Sequence, residues 1–370
     1  SDVDDMCALL DAMGISSRGR EDGALEIVRG VEVTPEAPYE LVERMRASSA
    51  VLGPLLAAMG RASVAMPGGD DFGGRPIDMH LQGLEALGAS FTLSHGVIEG
   101  RADALIGTEV VLEYPSVGAT ENLLMAGVLA KGRTTVHNAA REPEIADLAA
   151  FLNRMGGRIL GAGSPVITID GVEDLRAVEH VVIPDRIEVA TFLAALGVAG
   201  GEITLRNVRA DHVDLLIEKL GRTGLRISPD SDGLWAMASG RPRPIDVATL
   251  PYPGLATDYL PLLVALLAYS GGTSYATENV FSGRFRYVGE LARMGAHIRV
   301  DGHHMVIDGV QRLSGAPVKA VDIRAGAALV VAGLGADGET VISDAHHIDR
   351  GYERFVERMR SVGADIEQLD

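Results

Sequence analysis

The chain has a single cysteine, too few basic residues to balance its acidic ones, and no apolar run long enough to cross a bilayer as a helix. The lone Cys7 excludes an internal disulfide framework and suits a reducing compartment. It falls within the first helix ending and reads as buried packing, not as a nucleophile. Lys and Arg number 33 against 51 Asp and Glu, giving a net charge of −18 over 370 residues. That balance excludes nucleic acid and acidic membranes as expected partners, since no broad basic surface forms without local clustering. The most apolar stretch, Tyr259 to Ala268, is short and contains Pro261, so a buried helix is expected there and no membrane insertion. The residues that open the given sequence do not read as a basic, apolar, cleavable pattern. His346 and His347 precede Asp349, but no wider His/Cys/Asp spacing supports a metal site, and His303, His304 and His346 read as structural.

What the chain does have is a repeat. The same helix ending occurs six times: Leu9-Leu-Asp-Ala-Met-Gly14, Leu84-Glu-Ala-Leu-Gly88, Leu152-Asn-Arg-Met-Gly156, Leu220-Gly-Arg-Thr-Gly224, Leu291-Ala-Arg-Met-Gly295 and Met359-Arg-Ser-Val-Gly363. The closing glycines stand 68 to 74 residues apart. A fixed period of this size means one supersecondary unit copied along the chain. Within each unit, a small-residue, apolar first helix (46–60, 118–132, 186–201, 257–272, 324–338) precedes a short strand. An amphipathic second helix and two further strands follow, as in 142–155 and the strands that end at Asp170. Five first helices and six second helices imply an incomplete first unit, short by roughly 45 residues on the period of the others. The expected arrangement is two three-unit α/β domains, 1–183 and 184–370. The last unit's second strand, expected after Gln368, is either absent or supplied from elsewhere.

A helix N-terminus attracts anions and disfavours cations. Yet Arg46, Arg186 and Arg324 stand at expected starts of first helices, and Arg75, Arg284 and Arg350 at expected starts of second helices. Any one of them is served equally by an adjacent acid: Arg186 by Asp185, Arg324 by Asp322, Arg350 by Asp349. Six together point to a shared, strongly anionic ligand. The glycine-rich segment 66–76, with Asp70, Asp71 and Arg75, reads as a mobile catalytic loop, or as a solvated turn. Ser116-Val-Gly-Ala-Thr120 opens a first helix after a strand, which suits either phosphate binding or ordinary capping. Thr257-Asp258 opens another, at a position equivalent to the arginines.

Several segments in order carry a resemblance: Met45-Arg-Ala-Ser48, Pro67-Gly-Gly69, Gly74-Arg-Pro76, Ser116-Val-Gly-Ala-Thr-Glu-Asn122, Asn138-Ala-Ala-Arg-Glu-Pro143, Pro184-Asp-Arg-Ile187, Thr257-Asp258, Asp322-Ile-Arg-Ala325 and His347-Ile-Asp-Arg-Gly-Tyr352. The chain resembles the enolpyruvyl transferase family, which includes 5-enolpyruvylshikimate-3-phosphate synthase and the UDP-N-acetylglucosamine 1-carboxyvinyltransferases of peptidoglycan synthesis. The resemblance implies a two-domain inside-out α/β barrel of βαβαββ units, with the active site in the interdomain cleft. It implies a cytoplasmic enzyme that moves the enolpyruvyl group of phosphoenolpyruvate to the 3-hydroxyl of UDP-N-acetylglucosamine and releases phosphate. No cofactor is implied, metal or organic.

By the same resemblance Asp258 is the base and Asp70 the general acid, in the loop position that most members fill with cysteine. Arg75 and Arg350 hold phosphoenolpyruvate, reinforced by Arg284 and Arg324, with Arg46 nearby. Pro76, Ile77, Asp78 and Met79 face uracil, Ser116, Val117 and Gly118 the diphosphate, and Val280 the nucleotide or sugar. A family Lys-Asn pair is expected ahead of Ser1. Tyr114 stands where some members have a lysine, and Ser282-Gly283 where Glu-Asn or Glu-Ala is common. The last departure leaves two alternatives open: an enolpyruvyl transferase with another nucleotide or sugar acceptor, and a shortened, non-catalytic binding paralog.

Overall fold

The computed structural model describes residues 1–369 apart from 70–75 and 282. Two units follow one another, with the division between Ile183 and Pro184. Each has its own hydrophobic core, one running from Leu9 to Ile169 and the other from Ile187 to Met359.

The repeat is visible as a repeated strand register. Glu36–Ala37 pairs in parallel with Arg61–Ala65, which pairs antiparallel with Val97–Arg101, and that strand with Ser90–Ser94. Glu109–Val111, Arg133–His137, Val166–Asp170 and Arg158–Leu160 repeat the order, as do Val247–Ala248, Thr273–Thr277, His304–Asp308 and His297–Asp301. In each case a helix links the parallel pair, as a parallel crossover requires. Other copies are partial among the described residues: the hairpin Ile15–Gly19 with Leu25–Arg29, the three strands of Gly201–Arg206, Gly233–Ala238 and Arg226–Asp230, and the parallel pair Pro317–Lys319 with Val341–Ser343.

The first helices form the cores. Every residue of Leu260–Leu267 is buried, and Val117–Gly127 and Ile323–Gly333 are buried along most of their length. Small residues allow their close approach. A Cβ on Gly53 would lie 2.5 Å from the Asn122 carbonyl oxygen, so only glycine fits that crossing. All six closing glycines take positive φ, from 86° at Gly14 to 113° at Gly224, which ends each second helix. Cys7 is only partly buried, less than its helix position suggested. No described helix is long and apolar enough to cross a membrane.

Candidate functional site

In the second unit, the chain enters its most apolar helix through a single 3-10 turn, Thr257–Tyr259. The turn holds Asp258 at the mouth of the buried helix bundle. Arg324 is the second residue of Ile323–Gly333, whose start is fixed by Asp322: its carboxylate accepts the N–H groups of Arg324 and Ala325, each at 2.8 Å. With Asp322 occupied by the backbone, the Arg324 side chain reaches elsewhere. Its Nε lies 3.2 Å from Asp258 Oδ2, while Arg284 Nη1 lies 2.6 Å from Asp258 Oδ1.

Two guanidiniums therefore share one carboxylate. The Arg284 side chain is 4% exposed and that of Arg324 14%, whereas Asp258 keeps 32%. Burial works against ionisation of Asp258, but the charges and hydrogen bonds of Arg284 and Arg324 outweigh it and hold the carboxyl well below the usual range. Two guanidiniums face the one Asp258 carboxylate, with the charges of Asp322 and Asp185 acting on Arg284 and Arg324 in turn, and Arg324 Nη1 is buried without a hydrogen-bond partner. The Arg324 guanidinium also lies 5.3 Å from the centre of the Tyr352 ring, and the Tyr352 hydroxyl is 2.8 Å from Thr191 Oγ1. Here the structure offers a desolvated seat for an anion beside a carboxylate that reaches solvent.

Arg350 is on the short helix His346–Gly351, one residue before Gly351, where an added Cβ would lie 3.5 Å from Arg324 Nη1. The expected placement of Arg284 and Arg350 at helix starts is corrected. Arg284 precedes the helix Arg286–Arg293 by two residues, and Arg350 lies near the end of its helix. At Arg186 the Asp185 carboxylate caps the Ile187 N–H at 2.7 Å, and the guanidinium donates to the Tyr259 hydroxyl at 3.2 Å. The neighbouring acids neutralise helix ends and leave the arginine side chains to other partners.

In the first unit, Arg46 opens the 3-10 helix Arg46–Val51 and donates from Nη2 to the Pro76 carbonyl at 3.0 Å. Ile77 is buried and anchors the start of Asp78–Ala86, whose Asp78 is exposed and whose Met79 is partly buried. Ser116 caps Val117–Gly127 by accepting the Ala119 N–H at 3.3 Å, with Val117 and Gly118 in the first turn. His80 joins the two helices. Its ring lies against Gly118, where an added Cβ would be 2.8 Å from Cε1.

Asn122 Nδ2 lies 2.9 Å from His80 Nδ1, and Asn122 Oδ1 accepts the Gly53 N–H at 2.7 Å. That second bond assigns the amide nitrogen as the donor to Nδ1, so the ring proton is on Nε2. Burial, then the charge of Arg46, pushes the His80 pKa down to about 4 against a weaker opposing pull from Asp78, and the ring is neutral at pH 7.

The structure thus gathers Asp258, Arg284 and Arg324 in one unit, and Pro76–Met79 with Ser116–Gly118 and Arg46 in the other. Val280 belongs to the second unit, its N–H donated to Glu278 at 2.7 Å. Asp70 and Arg75 lie outside the described residues. Sequence reading missed Glu278 and His80. Glu278 was available from strand phase, since Ser274 and Ala276 are buried four and two residues before it and Glu278 falls on the same face. His80 carries no such signal.

The family described as EPSP synthase (3-phosphoshikimate 1-carboxyvinyltransferase) matches residues 1–359. UDP-N-acetylglucosamine 1-carboxyvinyltransferase 2 of Carboxydothermus hydrogenoformans is 51% identical over the whole chain and 88% of its own length. The UDP-N-acetylglucosamine 1-carboxyvinyltransferase of Gluconacetobacter diazotrophicus is 48% identical with the same coverage. Among solved structures, the enolpyruvyl transferase NikO of Streptomyces tendae matches with a TM-score of 0.88 and 27% identity, over 98% of this chain and 87% of that one. EPSP synthase of Acinetobacter baumannii shares the fold, with a TM-score of 0.72 at 21% identity, over 99% of this chain and 88% of that one.

Proposed function

The chain belongs to the EPSP synthase (3-phosphoshikimate 1-carboxyvinyltransferase) family, and from that membership we propose that it transfers the enolpyruvyl group of phosphoenolpyruvate to the 3-hydroxyl of UDP-N-acetylglucosamine, releasing phosphate. The observation that carries the chemistry is Asp258 between Arg284 and Arg324. The acceptor is supported by the 48–51% identity to relatives named for UDP-N-acetylglucosamine, against 27% to NikO.

The resting geometry has a mechanistic consequence. A carboxylate gripped by two guanidiniums is ionised but weakly basic. Phosphoenolpyruvate brings anionic groups that compete for Arg284 and Arg324, with Arg350 and Arg75 as further holders. Drawn towards the ligand, the guanidiniums release Asp258, whose basicity rises when it is needed. Asp258 then takes the proton of the sugar hydroxyl, and the hydroxyl oxygen bonds to C2 of phosphoenolpyruvate. Asp70 supplies a proton to C3, giving a tetrahedral ketal. Return of a C3 proton to the Asp70 carboxylate and cleavage of the bond between C2 and the phosphate oxygen expel phosphate and restore the double bond. Arginines placed for the charged groups stabilise both steps electrostatically.

In the first unit, the capped N-terminus at Ser116–Gly118 suits the diphosphate, with Pro76–Met79 beside the base and Arg46 adjacent. Both substrates are charged intracellular metabolites, so the reaction is assigned to the cytoplasm. Peptidoglycan synthesis is the use implied by the acceptor. Ser282-Gly283 and the likeness to NikO favour a second reading, in which the same transfer serves another nucleotide or sugar. Phosphate release from phosphoenolpyruvate with UDP-N-acetylglucosamine, UMP or shikimate 3-phosphate separates the readings. Turnover with the first acceptor alone is expected, and turnover only with another would replace it.

A further inference from the structure

Glu278 stands one residue beyond the strand Thr273–Thr277 and is 1% exposed. Its Oε1 accepts the Val280 N–H at 2.7 Å, the Phe281 N–H at 3.0 Å and the Thr249 hydroxyl at 2.8 Å. Its Oε2 is 2.7 Å from Thr257 Oγ1. Thr257 Oγ1 is in turn 3.2 Å from Arg284 Nη1, the nitrogen that binds Asp258.

Counting protons fixes the direction of this chain of contacts. Backbone N–H groups and guanidinium N–H groups only donate. A hydroxyl has one proton, and Arg284 can only give one to Thr257, so the Thr257 proton is free to point at Glu278. The carboxylate receives it and leaves the hydroxyl lone pairs turned to Arg284. A burial this complete is tolerated because several donors converge on the carboxylate.

We infer that Glu278 is a positioning residue for the transfer reaction: by taking the Thr257 hydrogen bond it turns the hydroxyl towards Arg284 and orients the guanidinium that grips Asp258. The role rests on the proposed function, in which Asp258 is the base. The same carboxylate anchors the backbone at Val280 and Phe281, so the segment expected at the nucleotide and the segment bearing the base hang from one side chain.

Replacement by glutamine reverses one bond. The amide oxygen must stay against the Val280 and Phe281 N–H groups, which places the NH2 group against Thr257. Thr257 then has to accept from the amide, which competes with Arg284 Nη1 for the hydroxyl lone pairs, and the Thr257 proton loses its carboxylate acceptor. Arg284 loses its orientation without losing its charge. The effect is expected in kcat more than in KM, because the Arg284 charge that meets phosphoenolpyruvate is kept and the amide oxygen still anchors the Val280 and Phe281 N–H groups.

The test is steady-state phosphate release by the full protein with phosphoenolpyruvate and UDP-N-acetylglucosamine, for Glu278→Gln, Thr257→Val, Thr257→Ser and the Glu278→Gln/Thr257→Val pair. Turnover by the unmodified protein comes first; its absence defeats the proposed function and this role with it. Given turnover, Glu278→Gln should lower kcat about tenfold with both KM values within about twofold. Thr257→Val should match it, Thr257→Ser should stay near the parent, and the pair should be no worse than about threefold beyond either single change. Losses that multiply in the pair, or a Thr257→Val enzyme with parental kcat, would overturn the role. If Glu278→Gln does not fold, the Thr257 contrast decides: equal kcat for the serine and valine variants refutes the relay.

Discussion

Arg284 Nη1 lies 2.6 Å from Asp258 Oδ1, and Arg324 closes on the other oxygen of the same carboxylate. Removing that carboxylate leaves two buried cations facing each other. Asp258→Ala should therefore cost about 3 kcal/mol of stability, the order expected when one partner of a buried pair is deleted. Asp258→Asn keeps an acceptor for Arg284 and should cost less. Both should lose turnover by roughly 10²–10⁴-fold, the range for a removed general base. Urea denaturation and phosphate release check the two halves, and parental turnover by Asp258→Asn would remove Asp258 from the chemistry.

Glu121 lies on the buried helix Val117–Gly127, and burial, then the charges of Glu144 and Glu142, pushes its pKa up from 4.5 to about 7. The folded chain holds a proton there that the unfolded chain has already lost. Stability attributable to this residue is present below pH 4.5 and declines as pH rises towards 7. Glu121→Gln should thus gain on the parent by about 1–3 kcal/mol at pH 8 and match it at pH 4. Denaturation at the two pH values measures this; equal stability at pH 8 would contradict it.

His80 works in the opposite direction. Its folded value of about 4 lies below the ordinary 6.5, so the unfolded chain binds the proton first as pH falls. Its contribution is complete above pH 6.5 and is lost on acidification towards pH 4. His80→Asn retains an acceptor for Asn122 and should flatten the acid side of the stability profile. An unchanged slope between pH 6.5 and 4 would show that His80 titrates normally.

The repeat was the most legible part of the sequence, because a helix that closes on glycine needs positive φ and the need recurs with the unit. All six closing glycines meet it. The first helices were legible too, as small and apolar residues at helical spacing leave few alternatives. The second helices expected to open at Arg284 and Arg350 were placed less well. One is Arg286–Arg293, whose N-cap Phe285 has no capping side chain to mark the boundary, and the other is Phe355–Ser361, which a separate short helix, His346–Gly351, precedes. The partnership of Asp258 with Arg284 and Arg324 spans 26 and 66 residues, and spacing alone does not reveal it. The resemblance identified all three, while Glu278 emerged from strand phase and burial.

We propose that Asp70 takes the loop position that UDP-N-acetylglucosamine 1-carboxyvinyltransferases usually fill with a reactive cysteine. A thiolate opens the epoxide of fosfomycin, and a carboxylate is a far weaker nucleophile. The unmodified protein should be insensitive to fosfomycin, and Asp70→Cys should retain turnover and become sensitive. Asp70→Ala should lose most turnover. An active Asp70→Cys enzyme that stays resistant would assign the loop position wrongly. Time-dependent inactivation by fosfomycin reads the difference.

The central claim is transfer of the enolpyruvyl group to a sugar hydroxyl, and the fate of one oxygen tests it. Phosphoenolpyruvate labelled with ¹⁸O in the bridge between C2 and phosphorus is incubated with the protein and UDP-N-acetylglucosamine, and the products are weighed by mass spectrometry. Addition and elimination at C2 break the carbon–oxygen bond. The label should therefore leave in inorganic phosphate while the UDP-sugar gains an unlabelled enolpyruvyl group. Unlabelled phosphate with a UDP-sugar of unchanged mass would mean cleavage at phosphorus, and would contradict enolpyruvyl transfer by this chain.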